Sequence, residues 1–156
     1  MAANGYDKKA VAEVVEGFGA RPEMLVQVLQ GVMQRIGHIP EGVVRQLADA
    51  LNLSRADVHG VVSFYHDFRT TPPGKHVVKI CQAEACQSMG SRELTAYAEQ
   101  ALGVEMHHSN AEVTLEPTYC LGNCACSPAV MIDDKTFGRV SNERFDQLVD
   151  AMREKT

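Results

Sequence analysis

The sequence predicts an α+β fold, a helical bundle followed by a small α/β domain, and three observations carry the prediction. Apolar residues recur at helical spacing from Tyr6 to about Phe68. The segment Thr70-Thr71-Pro72-Pro73-Gly74 breaks that pattern. Beyond it, runs rich in β-branched residues alternate with helical stripes, the pattern of helices packed on a sheet. Residues 1–74 are therefore read as the helical domain and residues 75–156 as the second domain.

Each element follows from its local sequence. Ala10, Val11, Val14 and Val15 mark a first helix. Pro22 suits the first turn of a second, which carries the stripe Leu25, Val28, Leu29, Val32, Met33, Ile36 and stops by Gly37. Pro40 opens a third with Val43, Val44, Leu47 and Leu51 inward. Ser54, with Asp57 three places on, is an N-cap with a short acid in the capping-box position, opening a fourth helix through Val58, Val61 and Val62. In the second half, His76 to Cys81 (HVVKIC) is a strand, and a loop runs through Cys86. A helix follows from Ser91 to Leu102, closed by Gly103, then a strand from Val113 towards Tyr119. AVMID and FGRV form a hairpin, and Ser141 caps a last helix with Phe145, Leu148, Val149 and Met152 inward. The order is β-α-β-β-β-α.

Composition narrows the function classes. The chain has 156 residues, of which 45% are hydrophobic and 22% charged, ordinary proportions for a globular protein. Its net charge of −5 argues against generic nucleic-acid affinity, which needs clustered Lys and Arg. No segment is long and apolar enough to span a bilayer, and the N-terminus MAANGYDKK has no apolar leader core, so a cytoplasmic location without membrane contact is expected. In that compartment five cysteines point to metal or redox chemistry rather than disulfides.

The cysteines fall into two pairs and one remainder. Cys81-Gln-Ala-Glu-Ala-Cys86 is C-x4-C and Cys120-Leu-Gly-Asn-Cys124 is C-x3-C. Both pairs follow predicted strands, so parallel strands would bring their loops to one end of the sheet. Four thiolates there suit a [2Fe–2S] cluster, whose two irons each take two protein sulfurs. Gly122 and the small residues Ala83, Ala85 and Ala125 leave room for the backbone to approach such a group. A structural zinc site in an interaction module is the competing reading, although the usual C-x2-C knuckle is missing. The absence of C-x-x-C also disfavours a catalytic dithiol. Cys126, two residues past Cys124 in an expected extended loop, should point away from the site and serve as a small buried hydrophobe.

At these residues the sequence resembles a known family. CQAEACQSMG and YCLGNCACSPAVMID resemble the thioredoxin-like [2Fe–2S] ferredoxins, typified by the 24 kDa subunit of NADH:quinone oxidoreductase. GHIPEGVV and LNLSRADVHGVVSFYHDFR look like the N-terminal region of that subunit, so the likeness covers nearly the whole chain. The resemblance implies a thioredoxin-like domain over residues 75–156, with Cys81, Cys86, Cys120 and Cys124 as cluster ligands and no catalytic site in this chain. Within the family, CQAEACQSMG is most similar to the gamma subunits of cytoplasmic NAD-dependent formate dehydrogenases. That likeness implies one partner holding FMN, the NAD site and further Fe–S clusters, and another holding a molybdenum cofactor where formate is oxidised. Respiratory NADH:quinone oxidoreductase and the diaphorase of an NAD-linked hydrogenase are the alternative hosts.

Other features have simpler readings. LADALNLSRADVHGVV has the look of a DNA-binding helix-turn-helix, with Arg45 and Arg55 available to phosphates, but Asp49 and Asp57 flank them and no basic stripe follows. Packing is the favoured role. His59, Phe64, Tyr65, His66 and Phe68 form a cluster expected in packing, or in docking to a flavin subunit. Adjacent His107 and His108 would face opposite sides of a strand and so make poor joint metal ligands. Dinucleotide- and P-loop fingerprints are absent.

Overall fold

The computed structural model describes residues 5–154, and the first four residues of the stretch read for a leader lie outside them. The chain divides into two compact units, Met1–Pro72 and Pro73–Thr156.

The first unit contains four α-helices among the described residues: α1 (Lys8–Gly17), α2 (Leu25–Ile36), α3 (Glu41–Leu51) and α4 (Arg55–Phe64). Their boundaries have local chemical causes. The Asp7 carboxylate accepts the Lys9 and Ala10 N–H groups at 2.9 and 3.0 Å, a cap that apolar periodicity alone does not reveal. Pro22 opens a 3₁₀ turn, Pro22–Met24, before α2 proper begins, and Gly37 ends α2 in the left-handed region. Ser54 and Asp57 form the expected reciprocal capping box at 3.0 and 3.2 Å. Val28, Leu29, Val32, Val43, Leu47 and Val58 are fully buried at the centre of the unit's core. Arg45 pairs with Glu41 one turn earlier, and the α3–α4 stripes are spent on packing. Of the aromatic cluster, Phe68 is buried while Phe64, Tyr65, His59 and His66 are exposed, so core packing describes only Phe68. The Phe64–Tyr65 and Tyr65–Phe68 rings meet edge to face.

The second unit is a four-stranded sheet, β1 (His76–Cys81), β2 (Val113–Thr118), β3 (Val130–Ile132) and β4 (Lys135–Phe137), in the order β2-β1-β3-β4. β1 and β2 are parallel, with Cys81 opposite Thr118, while β3 is antiparallel to both β1 and β4. Its helices are α5 (Glu84–Ser88), α6 (Ser91–Leu102) and α7 (Asn142–Arg153). α6 is the crossover that a parallel β1–β2 pair requires. Val78, Ile80, Leu115 and Val130 form the main core with Leu94 and Ala98 of α6 and Phe145 and Val149 of α7.

Four local expectations are corrected. Cys86 sits on the short helix α5 and not in a loop. In FGRV only Phe137 belongs to a strand, because β4 ends there and Arg139 turns with φ 51°. His107 and His108 lie in the turn before β2, both exposed, with His107 at φ 68°. Cys126 ends a 3₁₀ turn, Cys124–Cys126, and is half-buried rather than buried in an extended loop.

Candidate metal centre

Strand alternation starts the site. Along β1, Val78 and Ile80 face the main core, so the next residue, Cys81, turns to the opposite side. There it joins Cys86 and Ala129 in a small separate buried cluster, with Ala83 and Leu121 at its edge. β3 shows the same alternation: Val130 pairs with Ile80 in the core, and the Ala129 carbonyl accepts the Cys81 N–H at 3.0 Å.

The loop between the first two cysteines is tied down at each end. The Gln82 N–H donates to the Thr118 carbonyl at 2.7 Å, and the Gln82 side chain donates to Thr95 Oγ1 at 2.7 Å. The Gln87 amide donates to the Gln82 carbonyl at 2.7 Å, which curls the segment into α5. The buried Ser91 hydroxyl donates to the Cys81 carbonyl. Cys81 and Cys86 are each 2% exposed.

The second pair is built differently. The chain leaves β2, and Cys120 takes φ 118°, a sparsely populated conformation for a side-chain-bearing residue. Gly122 follows at φ 73°, where glycine is needed for its backbone rather than for space. The Gly122 N–H then turns back to donate to Cys120 Sγ at 3.3 Å. Cys120 and Cys124 are both exposed, and their sulfurs lie 3.8 Å apart. A tetrahedral metal with metal–sulfur bonds of about 2.3 Å holds its sulfur ligands about 3.8 Å from one another. The second pair therefore has the spacing of two ligands on one metal.

Two residues link the pairs. The Leu121 N–H, from the second loop, hydrogen-bonds to the Cys81 sulfur. The Ser127 hydroxyl lies 3.5 Å from Cys86 Sγ and donates to the Cys124 carbonyl at 2.8 Å. The thiol charges also interact. Cys124 is raised above the ordinary thiol range first by its hydrogen bond with Cys120, then by the Cys120 charge, by burial, and by the charges of Cys86 and Cys81. Burial pushes Cys81 up most strongly, with the Cys86 sulfur adding to the shift and the Ala83 and Leu121 amides opposing it. Burial also pushes Cys86 up, but hydrogen bonds from Ser127, Cys81 and the Ala129 amide outweigh it, and its pKa falls.

All four predicted ligands thus come to one edge of the sheet as two pairs. Among the described residues, no three His, Cys, Asp or Glu side chains are grouped to hold a single metal ion. Cys126 stands apart, with its carbonyl accepting the Arg139 N–H at 2.6 Å. Sequence reasoning missed two contributors here. Ser127 gives no periodic signal, because its partner Cys86 lies 41 residues away. Gly138 packs so closely that a Cβ would come within 2.6 Å of Cys126 Cβ and 2.7 Å of its carbonyl oxygen. A glycine beside a strand pattern is the signal that could have flagged it. Around the exposed pair, Met89 is 60% and Tyr119 76% exposed.

The family model described as "Thioredoxin-like [2Fe-2S] ferredoxin" matches residues 11–153. A subunit of the NADH-quinone oxidoreductase of Pseudomonas aeruginosa is 31% identical over 128 residues, covering 81% of this chain and 77% of that protein. The HndA subunit of the NADP-reducing hydrogenase of Solidesulfovibrio fructosivorans is 28% identical over 143 residues, covering 90% and 84%. Among solved structures, a chain of the NAD⁺-reducing [NiFe]-hydrogenase in its H2-reduced state superposes with a TM-score of 0.73 at 19% identity. That match covers 88% of this chain but spans only 23% of the hydrogenase chain, and it is a likeness of fold.

Proposed function

The chain belongs to the thioredoxin-like [2Fe–2S] ferredoxin family, and from that premise we propose that Cys81, Cys86, Cys120 and Cys124 hold a [2Fe–2S] cluster in an electron-transfer subunit of an NAD(P)-linked oxidoreductase. The observation that carries the reading is the two-by-two arrangement of thiols at the end where the adjacent parallel strands β1 and β2 finish. One zinc ion would call for four thiolates around one point, whereas a two-iron cluster takes two per iron.

When bound, such a cluster supplies one-electron oxidation and reduction. The protein's own groups do the rest. Cys81 and Cys86 anchor one side inside the protein and keep water from it. Cys120 and Cys124 would hold the other side at the surface, open to a partner. The N–H groups of Leu121 and Gly122 point at ligand sulfurs and offset their negative charge. Exposed Met89 and Tyr119 give the rim of the exposed pair apolar area suited to a docked subunit. That partner is expected to carry FMN, the NAD(P) site and further Fe–S clusters, since flavin mediates between two-electron hydride chemistry and one-electron carriers.

The relatives favour an NADH dehydrogenase or an NAD(P)-reducing hydrogenase as the host complex. A finer reading, an NAD-dependent formate dehydrogenase with a molybdenum-containing partner, is supported by the residues of CQAEACQSMG. Two measurements test these levels separately. The chain made anaerobically should contain two irons and two acid-labile sulfides and give an EPR signal on reduction. A colourless product with one zinc and no sulfide would reject the cluster. The native complex is then assayed for NAD(P)⁺ reduction by formate and by H2, and for NADH oxidation by quinone. Absence of formate-dependent activity beside either of the others removes the formate reading.

A further inference from the structure

Ser127 links the two cysteine segments through its side chain. It is buried, its Oγ lies 3.5 Å from Cys86 Sγ, and it donates to the Cys124 carbonyl at 2.8 Å. Cys86 itself is shut away from water, so no solvent hydrogen bond competes at its sulfur. We propose that Ser127 sets the reduction potential of the bound cluster by donating its hydroxyl proton to the Cys86 sulfur. This rests on the cluster reading above.

The argument follows the proton. With Cys86 as a thiol, its S–H donates to Ser127 Oγ, and the hydroxyl proton is left to the Cys124 carbonyl. A metal-bound sulfur has no proton to give and carries negative charge. Ser127 is then faced by an anionic acceptor within reach, and a hydrogen bond to an ionised acceptor is about twice as strong as one between neutral groups. The hydroxyl therefore turns from the carbonyl towards the sulfur.

Reduction of a bound cluster would add one electron and raise the charge on its sulfurs. A donor at Cys86 stabilises the reduced form more than the oxidised one, so it raises the potential. Because the donor comes from the segment that follows Cys124, the tuning depends on that segment staying in place. The 138–140 stretch holds it there: the Arg139 N–H donates to the Cys126 carbonyl at 2.6 Å and the Val140 N–H to the Pro128 carbonyl at 3.1 Å. Ser127 is a positioning and tuning residue, not a ligand.

The test is an anaerobic redox titration of the full chain followed by EPR, with iron and sulfide counted in every preparation. Ser127→Ala should keep two irons and two sulfides but show a lower midpoint potential, and Ser127→Thr, which retains the hydroxyl, should return it towards that of the parent. An unchanged midpoint in a fully loaded Ser127→Ala variant overturns the proposal. Should Ser127→Ala not load, Ser127→Gly is titrated in its place. If neither holds a cluster while Ser127→Thr does, the residue is structural and the tuning role is rejected. A parent chain without iron or sulfide would instead sink the cluster reading, so the two failures are distinguishable.

Discussion

The two cysteine pairs offer the same thiol chemistry in opposite surroundings. Cys81 and Cys86 are buried, one at the end of a strand and the other on a helix, with hydrogen bonds closing the loop between them. Cys120 and Cys124 are exposed on a segment that uses a positive φ at Cys120 and a glycine at 122. The first pair is fixed by ordinary secondary structure and the second by turn geometry and clamping from outside. One pair is thus closed off inside the protein, and the other is open at its surface.

Several variants would break or sharpen this contrast. The largest effect is expected from removing a ligand on either side. Cys81→Ser and Cys124→Ser should each abolish or grossly alter the EPR signal of anaerobically prepared protein, while Cys126→Ser should leave it. Loss of the signal in the Cys126 variant alone would overturn the pairing.

Next comes the clamp on the exposed pair. In Gly138→Ala the new methyl meets the Cys126 carbonyl, which is backbone and cannot swing aside as the Asn123 amide can. Overpacking of this kind costs about 1–3 kcal/mol. The expected outcome is a lower unfolding midpoint and faster cluster loss to a chelator. A variant as stable and as retentive as the parent would show that the 138–140 stretch does not hold the second loop.

A subtler difference is chemical. In the cluster-free chain Cys124 has a raised pKa, so at neutral pH it carries less thiolate than an ordinary cysteine, and its alkylation should rise only at higher pH. Mass spectrometry of iodoacetamide-treated peptides across pH reads this directly. A Cys124 profile with its midpoint at or below that of a model thiol would contradict the close Cys120–Cys124 pairing.

The smallest effect at the site is expected from the other unit. Ser54→Ala removes the α4 capping box and should cost about 1 kcal/mol of stability. It should leave the cluster's EPR signal and midpoint potential unchanged, because Ser54 belongs to the helical unit and its hydroxyl is spent on Asp57 within the first turn of α4. A shifted potential in that variant would mean the site answers to the helical unit.

Much of this is legible in the sequence, and the exceptions share a cause. Helices with strong stripes and local caps, such as α4 with Ser54 and Asp57, announce themselves because every interaction that defines them lies within one turn. α6 spans Ser91–Leu102, the range its sequence predicts, with Gly103 closing it. α5 escapes because five residues cannot display a helical period, and its curl depends on the Gln87 amide reaching Gln82. The surroundings of Cys126 depart from expectation because an extended segment alternates its side chains, whereas the tight turn after Cys124 reverses where successive ones point. The four thiols can be nominated from spacing. Ser127 and Gly138 cannot, since each matters through a residue distant in sequence or through the space a missing methyl leaves.

The parallel pairing of β1 and β2 has a practical corollary. Both strands run towards the cysteines, so the connection from Gly103 to Glu112 enters β2 at the far end of the sheet. Six residues at about 3.3 Å each put some 20 Å of strand between that turn and the thiols. A fluorophore carried on the exposed side chain of position 107 would report from that far end, away from the four thiols.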